Sequence, residues 1–178
     1  MDQSQEKFNK IYFIIGASGV GKTTAVKNIE KINPNDFQYC YFDSISVPSQ
    51  EEMIKKFGSG ENWQKVNTKK WVKKMGESLT TKPAILDGQT RPSFIEEACK
   101  ENGVKSYEVI LFDCNDEVRN QRLVNRGHPE LANDRMTNWA KYLREESLSR
   151  NYKIVDNTNL TEEESKEMLL KILNETKD

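Results

Sequence analysis

The amino-acid sequence predicts an α/β fold of three layers, a five-stranded and mostly parallel sheet flanked by helices. Three observations lead there. Short apolar runs alternate with helix-compatible segments along nearly the whole chain, the pattern of successive βαβ units. The first run, Ile11-Tyr12-Phe13-Ile14-Ile15, opens directly into Gly16-Ala17-Ser18-Gly19-Val20-Gly21-Lys22-Thr23, which fits G-x-x-x-x-G-K-[ST] at every fixed position. Two later runs close on an acid, Asp43 and Asp87, and a parallel sheet binds its ligands at the carboxyl ends of its strands.

Each element has its own local reason. In the loop, glycines let the backbone curl so that successive N–H groups converge on one anion, and the helix that follows adds its unpaired N–H groups and positive dipole end. Lys22 supplies a cation for the β- and γ-phosphates and Thr23 a hydroxyl for Mg²⁺. The first helix is expected over Thr24 to Lys31, stopped by Asn33-Pro34. Phe37 to Phe42 reads as the second strand, with Asp43 at its end. Ser49 and Glu52 form a capping box that opens a short helix, which Gly58-Ser59-Gly60 breaks. Trp63, Trp71, Met75 and Leu79 then recur at multiples of four, an amphipathic helix whose indoles serve packing, with base stacking as the alternative.

Pro83 to Gly88 is the third strand, and Pro92 starts a helix through Cys99. Tyr107 to Phe112 is the fourth strand and Asn115 to Arg126 a helix. Gly127-His128-Pro129 interrupts, with His128 as a loop residue, and a polar helical stretch runs to about Arg150. Tyr152 to Val155 is the last strand, and a second capping box, Thr161 with Glu164, opens the final helix.

The 178 residues suit a single domain with room for an insertion at 44–82 and a cover at 127–150. A net charge of −1 does not call for a nucleic-acid partner. Met1 to Lys10 lacks the apolar core of a signal peptide and no apolar run reaches membrane-spanning length, so the cytoplasm is the expected compartment and no membrane partner is expected. Cys40, Cys99 and Cys114 form no C-x-x-C pair and read as buried thiols.

Absences narrow the chemistry. There is no N-K-x-D guanine-reading motif and no L-S-G-G-Q signature, and the third strand ends in Asp87-Gly88, not in an acid pair that would position water for hydrolysis. Phosphoryl transfer to an acceptor other than water remains. The resemblances agree with this. Asp87-Gly88-Gln89-Thr90-Arg91 resembles the D-G-x-P-R stretch of adenylate kinase and its relatives, with Thr in place of Pro. The stretch from Asp116 to Gly127 resembles that family's lid entry, where arginines four apart, here Arg122 and Arg126, lead into a mobile cover. Val155-Asp156-Asn157-Thr158 is similar to the family's last strand and loop, whose backbone borders the adenine. The chain thus resembles the P-loop nucleoside and nucleotide kinase superfamily, which includes small-metabolite kinases such as the shikimate kinases.

That resemblance implies ATP and Mg²⁺ as cofactors. Gly16, Ala17, Ser18, Gly19, Val20, Gly21, Lys22, Thr23 and Thr24 would cradle the phosphates, with Arg122 and Asn157 completing the nucleotide site. Thr23 and Asp87 would organise the metal, and Lys22, Arg122 and Arg126 would stabilise the charge that develops in transfer. Asp43 and Arg91 would face the acceptor.

The residues support the same roles without the analogy. A transferring phosphoryl group spreads negative charge, so cations must be stationed around it. At 100° per residue, Arg119, Arg122 and Arg126 fall within a sector of about 60°, between the directions of Val118 and Leu123, which points them at the crevice. Arg135 and Arg144 are candidates to close over the triphosphate. Every arginine lies at or after Arg91, so the segment 44–82 has none to clamp an acceptor phosphate bidentately. That weighs against a nucleotide acceptor, whereas Asp43 suits a hydroxyl acceptor, whose proton a carboxylate can take. A strand-end cap is the structural alternative for Asp43. A small hydroxyl metabolite and a nucleotide both stay open as acceptors, with a polynucleotide 5′-hydroxyl behind them. An ATP-binding switch or adaptor that signals through exposed Trp63 and Trp71 is the rival reading.

Overall fold

The computed structural model describes residues 10–78 and 82–175. Five strands, β1 (Ile11–Ile15), β2 (Gln38–Tyr41), β3 (Ala84–Gly88), β4 (Tyr107–Asp113) and β5 (Lys153–Asp156), form one parallel sheet in the order β2-β3-β1-β4-β5. The helices are α1 (Lys22–Ile32), α2 (Gln50–Phe57), α3 (Gly60–Ser78), α4 (Pro92–Glu101), α5 (Asp116–Asn125), α6 (Asp134–Ser149) and α7 (Glu162–Glu175).

β1 is the central strand and all five of its residues are buried, which is why its sequence is a continuous apolar run. Its side chains alternate between two cores. Ile11, Phe13 and Ile15 pack with Trp71, Met75 and Ile95 from α3 and α4. Tyr12 and Ile14 pack with Val26 and Ile29 of α1 and Leu169 and Leu173 of α7. Helices on both faces of a parallel sheet make the three layers expected. Trp63 and Trp71 are 8% and 6% exposed, so both indoles serve packing and the aromatic face that motivated a signalling switch does not exist. Leu79 lies outside the described residues. The three cysteines are buried free thiols, and among the described residues no helix is long and apolar enough to cross a membrane.

Both capping boxes are closed reciprocally, Ser49 with Glu52 and Thr161 with Glu164. Several boundaries move from expectation for local reasons. α1 begins at Lys22, two residues earlier than Thr24, because the loop's last glycine turns straight into the helix. β2 ends at Tyr41, and Phe42–Ile45 is a 3-10 turn, so Asp43 sits just beyond the strand and not on it. Gly88 explains that turn. A Cβ there would stand 2.5 Å from the Phe42 Cβ, so only glycine lets Phe42 cross the end of β3. β5 starts at Lys153 because the Tyr152 N–H is spent on the Ser147 carbonyl at the end of α6.

Candidate active site

Parallel pairing sets the level of the site. Ile14 of β1 is in register with Asp87 of β3, and Tyr41 of β2 is level with the same Asp87. The phosphate loop, Asp87 and Asp43 therefore gather at the carboxyl edge of the sheet. In the loop, Gly19 has φ 88°, and a Cβ there would come within 2.8 Å of the Leu123 side chain, so the loop can lie against α5 only without a side chain. Lys22, the first residue of α1, is 8% exposed.

Thr23 Oγ1 donates to Asp87 Oδ2 at 2.6 Å. The other carboxylate oxygen, Oδ1, is buried and has no partner. Burial raises the Asp87 carboxyl above the ordinary carboxylate range, opposed by Lys22 and by the Thr23 bond and reinforced by the charge of Asp43. Asp43 is thus near enough to be felt at Asp87, and it is solvent-exposed. A hydroxyl beside a carboxylate with one oxygen unclaimed fits Mg²⁺, which takes oxygen ligands and is held by few protein groups alongside water and phosphate. No cluster of three or more acidic, histidine or cysteine side chains suited to a metal occurs among the described residues.

On the α5 side, Arg122 is fixed by three bonds. Nη1 donates to Asn157 Oδ1 at 2.9 Å and to the Val20 carbonyl at 3.3 Å, and Nη2 donates to the Asn157 carbonyl at 3.1 Å. Asn157 is 2% exposed, and its Nδ2 donates to the Val20 carbonyl at 2.6 Å. Arg122 and Asn157 together brace the phosphate loop from beneath. Beside them opens a cleft of about 170 Å³, continuous with solvent and lined by Gly21, Thr24, Arg122, Arg126, Asn157 and Leu160. Arg126 is exposed and touches Thr24 Oγ1 at 3.4 Å, a contact it can easily leave.

The other arginines divide. Arg119 does not face the crevice: it is 0% exposed, with Nη1 on Asp116 at 2.6 Å and Nη2 on Thr137 Oγ1 at 3.0 Å, and it stitches α5 to α6. The first turn of α5, which holds it, is covered by α6, and a wheel drawn for one helix does not reveal that. Arg144 Nε donates to buried Asp113 at the end of β4, which raises the guanidinium further. Arg135 is exposed.

Arg91 stands on the β3 side. Nη1 donates to Gln64 Oε1 at 2.7 Å, Nη2 lies 3.4 Å from Glu61, and the guanidinium sits over the rings of Trp139, Phe94 and Tyr142 at 5.0, 5.5 and 5.8 Å. Gln89 connects this wall to the loop: Nε2 donates to Ser18 Oγ at 2.8 Å and Oε1 accepts from Trp139 Nε1 at 3.1 Å. Sequence reasoning did not single out Gln89, Gln64 or Trp139. Only Gln89 had a signal, its place between Asp87-Gly88 and Arg91.

No protein-family model matches the chain. Solved structures do resemble it over nearly its whole length. A gluconokinase from Sinorhizobium meliloti 1021 superposes with a TM-score of 0.63 at 16% identity, covering 94% of this chain and 93% of its own. A shikimate kinase from Acinetobacter baumannii, in complex with shikimate, gives 0.58 at 15% identity with 98% of each chain covered. A deoxyadenosine kinase from M. mycoides gives 0.63 at 16% identity, covering 93% of this chain and 99% of that one. With its loop, strand order and flanking helices, the chain has the fold of the P-loop kinases of small metabolites and nucleosides.

Proposed function

We propose that the chain is an ATP-dependent kinase that moves a γ-phosphoryl group onto a hydroxyl of a small acceptor. The observation that carries this reading is the Thr23–Asp87 pair, with its unclaimed oxygen, beside buried Lys22 at the phosphate loop. The loop amides and Lys22 hold the triphosphate, and the cleft beside Arg122 and Asn157 takes the base and ribose. Mg²⁺, held by the Thr23 hydroxyl and through water by Asp87, would neutralise charge on the β- and γ-phosphates. Arg126, loosely held at Thr24, is the cation free to swing onto the transferring group, while Arg122 keeps the loop in shape.

The acceptor oxygen bonds to the γ-phosphorus, the bond from that phosphorus to the β,γ-bridging oxygen breaks, and ADP leaves. The hydroxyl proton passes to Asp43. Two observations favour a hydroxyl over a phosphate acceptor. Arg91 is the lone arginine on the acceptor side and already shares its charge with Glu61 and Gln64. The three kinases above are named for acceptors that carry hydroxyls. Within this reading, α2 and α3 cover the acceptor, residues 127–133 form the lid while α6, expected to belong to it, is anchored in the core through Ala140 and Leu143, and the cytoplasm is the compartment that supplies ATP.

The test is acceptor-dependent ADP release from Mg²⁺-ATP, with a panel of sugar acids, shikimate, deoxynucleosides, nucleoside monophosphates and 5′-hydroxyl oligonucleotides. Release that requires one panel class and vanishes in Lys22→Ala supports the kinase. Tight ATP binding with no transfer to any class overturns it. Asp43→Asn should then slow turnover about 100-fold or more if Asp43 takes the proton, and unchanged turnover would remove it from the chemistry.

A further inference from the structure

Gln89 has no task in the chemistry above, yet its bonds reach three separate elements. An indole N–H can only donate, so the Gln89 carboxamide oxygen must face Trp139 Nε1, at 3.1 Å. That orientation turns Nε2 toward Ser18 Oγ on the phosphate loop, 2.8 Å away. The Gln89 carbonyl accepts from Gln64 Nε2 at 2.8 Å, and Gln64 Oε1 accepts from Arg91 Nη1 at 2.7 Å. Arg91, lying 5.0 Å over the Trp139 ring, closes the circuit. Gln89, Trp139, Arg91 and Gln64 thus form a closed ring that spans the end of β3, α6 and α3, and the bond to Ser18 joins this ring to the loop.

The chemistry of that bond has a direction. A hydroxyl that accepts from an amide N–H keeps its own proton to give. Gln89 therefore leaves the Ser18 O–H free to donate to an arriving phosphate oxygen, and it is itself held in place by Trp139. We propose that Gln89 is a positioning residue coupling the phosphate loop to the acceptor wall, so that phosphate taken up at Ser18 changes the setting of Trp139 and Arg91. This rests on the reading of the loop as a nucleotide cradle.

The full chain labelled with 5-fluorotryptophan carries three fluorine resonances, one per tryptophan, and Trp139→Phe assigns the relevant one. A non-hydrolysable ATP analogue with Mg²⁺ is titrated while calorimetry follows its binding. At saturation the Trp139 resonance should move in the unsubstituted protein. In Gln89→Leu, which removes both arms, and in Ser18→Ala, which removes only the loop arm, the movement should fall several-fold although the analogue still saturates. Gln89→Glu keeps an acceptor for Trp139 and loses the N–H for Ser18, so its resting resonance should stay near the original position while the response disappears. Should Gln89→Leu misfold, the other two variants carry the test. A resonance that does not move in the saturated protein, or that moves as far in the variants, overturns the coupling and leaves the nucleotide reading intact. Failure to bind the analogue at all overturns both.

Discussion

Truncating Asn157 to Ala should weaken the protein and its proposed nucleotide site together. The side chain makes two bonds that Ala cannot, Nδ2 to the Val20 carbonyl at 2.6 Å and Oδ1 from Arg122 Nη1 at 2.9 Å. The backbone bonds persist, since Arg122 Nη2 still reaches the residue's carbonyl and its N–H still reaches the Asp113 carbonyl. A neutral bond contributes about 1 kcal/mol net and a charged one about 1.5–3 kcal/mol. Arg122 is only half-buried and can recover some of that from water, so the net cost is roughly 2–3 kcal/mol. For a chain of this size that lowers Tm by roughly 4–12 °C, read by calorimetry without nucleotide. The loop carbonyl would then keep only the long 3.3 Å contact to Arg122, and ATP affinity should fall by about tenfold, the equivalent of about 1.4 kcal/mol. Asn157→Asp separates the two bonds, because a carboxylate keeps Arg122 but repels the Val20 carbonyl. It should retain more stability than Ala and bind nucleotide no better. If both variants bind ATP normally and Ala shifts Tm by less than about 1 °C, Asn157 and Arg122 do not brace the loop.

Three more predictions concern Asp87 and Gly88 on β3 and Arg144 on α6. Asp87 is raised by burial, so its charging destabilises the nucleotide-free protein as pH rises through the folded pKa, and its contribution is favourable only below the ordinary carboxylate range; Asp87→Asn should therefore unfold at a higher temperature at neutral pH, with less dependence on pH above that range, while losing the proposed Mg²⁺-dependent transfer. Gly88→Ala forces Phe42 away from a contact of 2.5 Å and should cost about 1–3 kcal/mol by thermal unfolding, with turnover reduced because Asp43 moves with its neighbour. Arg144→Ala leaves the Asp113 carboxylate buried without this partner; because the arginine is 40% exposed at its side chain, the loss in urea unfolding should be about 1–2 kcal/mol, below the range for a fully buried pair.

What could be read from the sequence follows from the reach of each signal. The phosphate loop, the strand–helix alternation and both capping boxes are local, and residues within a few positions specify them. The β1 run was legible because its burial is complete on both faces. Asp87 was legible because strand, acid and glycine are consecutive. The ring of Gln64, Gln89, Arg91 and Trp139 was not, since it joins positions from three elements whose meeting depends on the whole sheet. Arg119 shows the same limit from the other direction. Its place on the α5 wheel was right, but a wheel holds no information about Thr137, which arrives from α6 to bury it. The end of β2 was misplaced by one residue because the cause, Gly88 under Phe42, lies on another strand.

The central place of β1 has a consequence for how the molecule assembles. Ile11 pairs with Ala84 on one side and Tyr107 on the other, so the strand that carries the loop has no neighbour close to it along the chain. Loop-closure entropy must be met before either pairing returns anything, and parallel topologies of this kind fold slowly. During synthesis β1, almost wholly apolar, must wait unpaired until about half of the chain has left the ribosome and β3 can reach it. The phosphate loop at the end of β1 can then settle only as β3 and β4 dock against that strand, so nucleotide binding at the proposed site would report that both have docked.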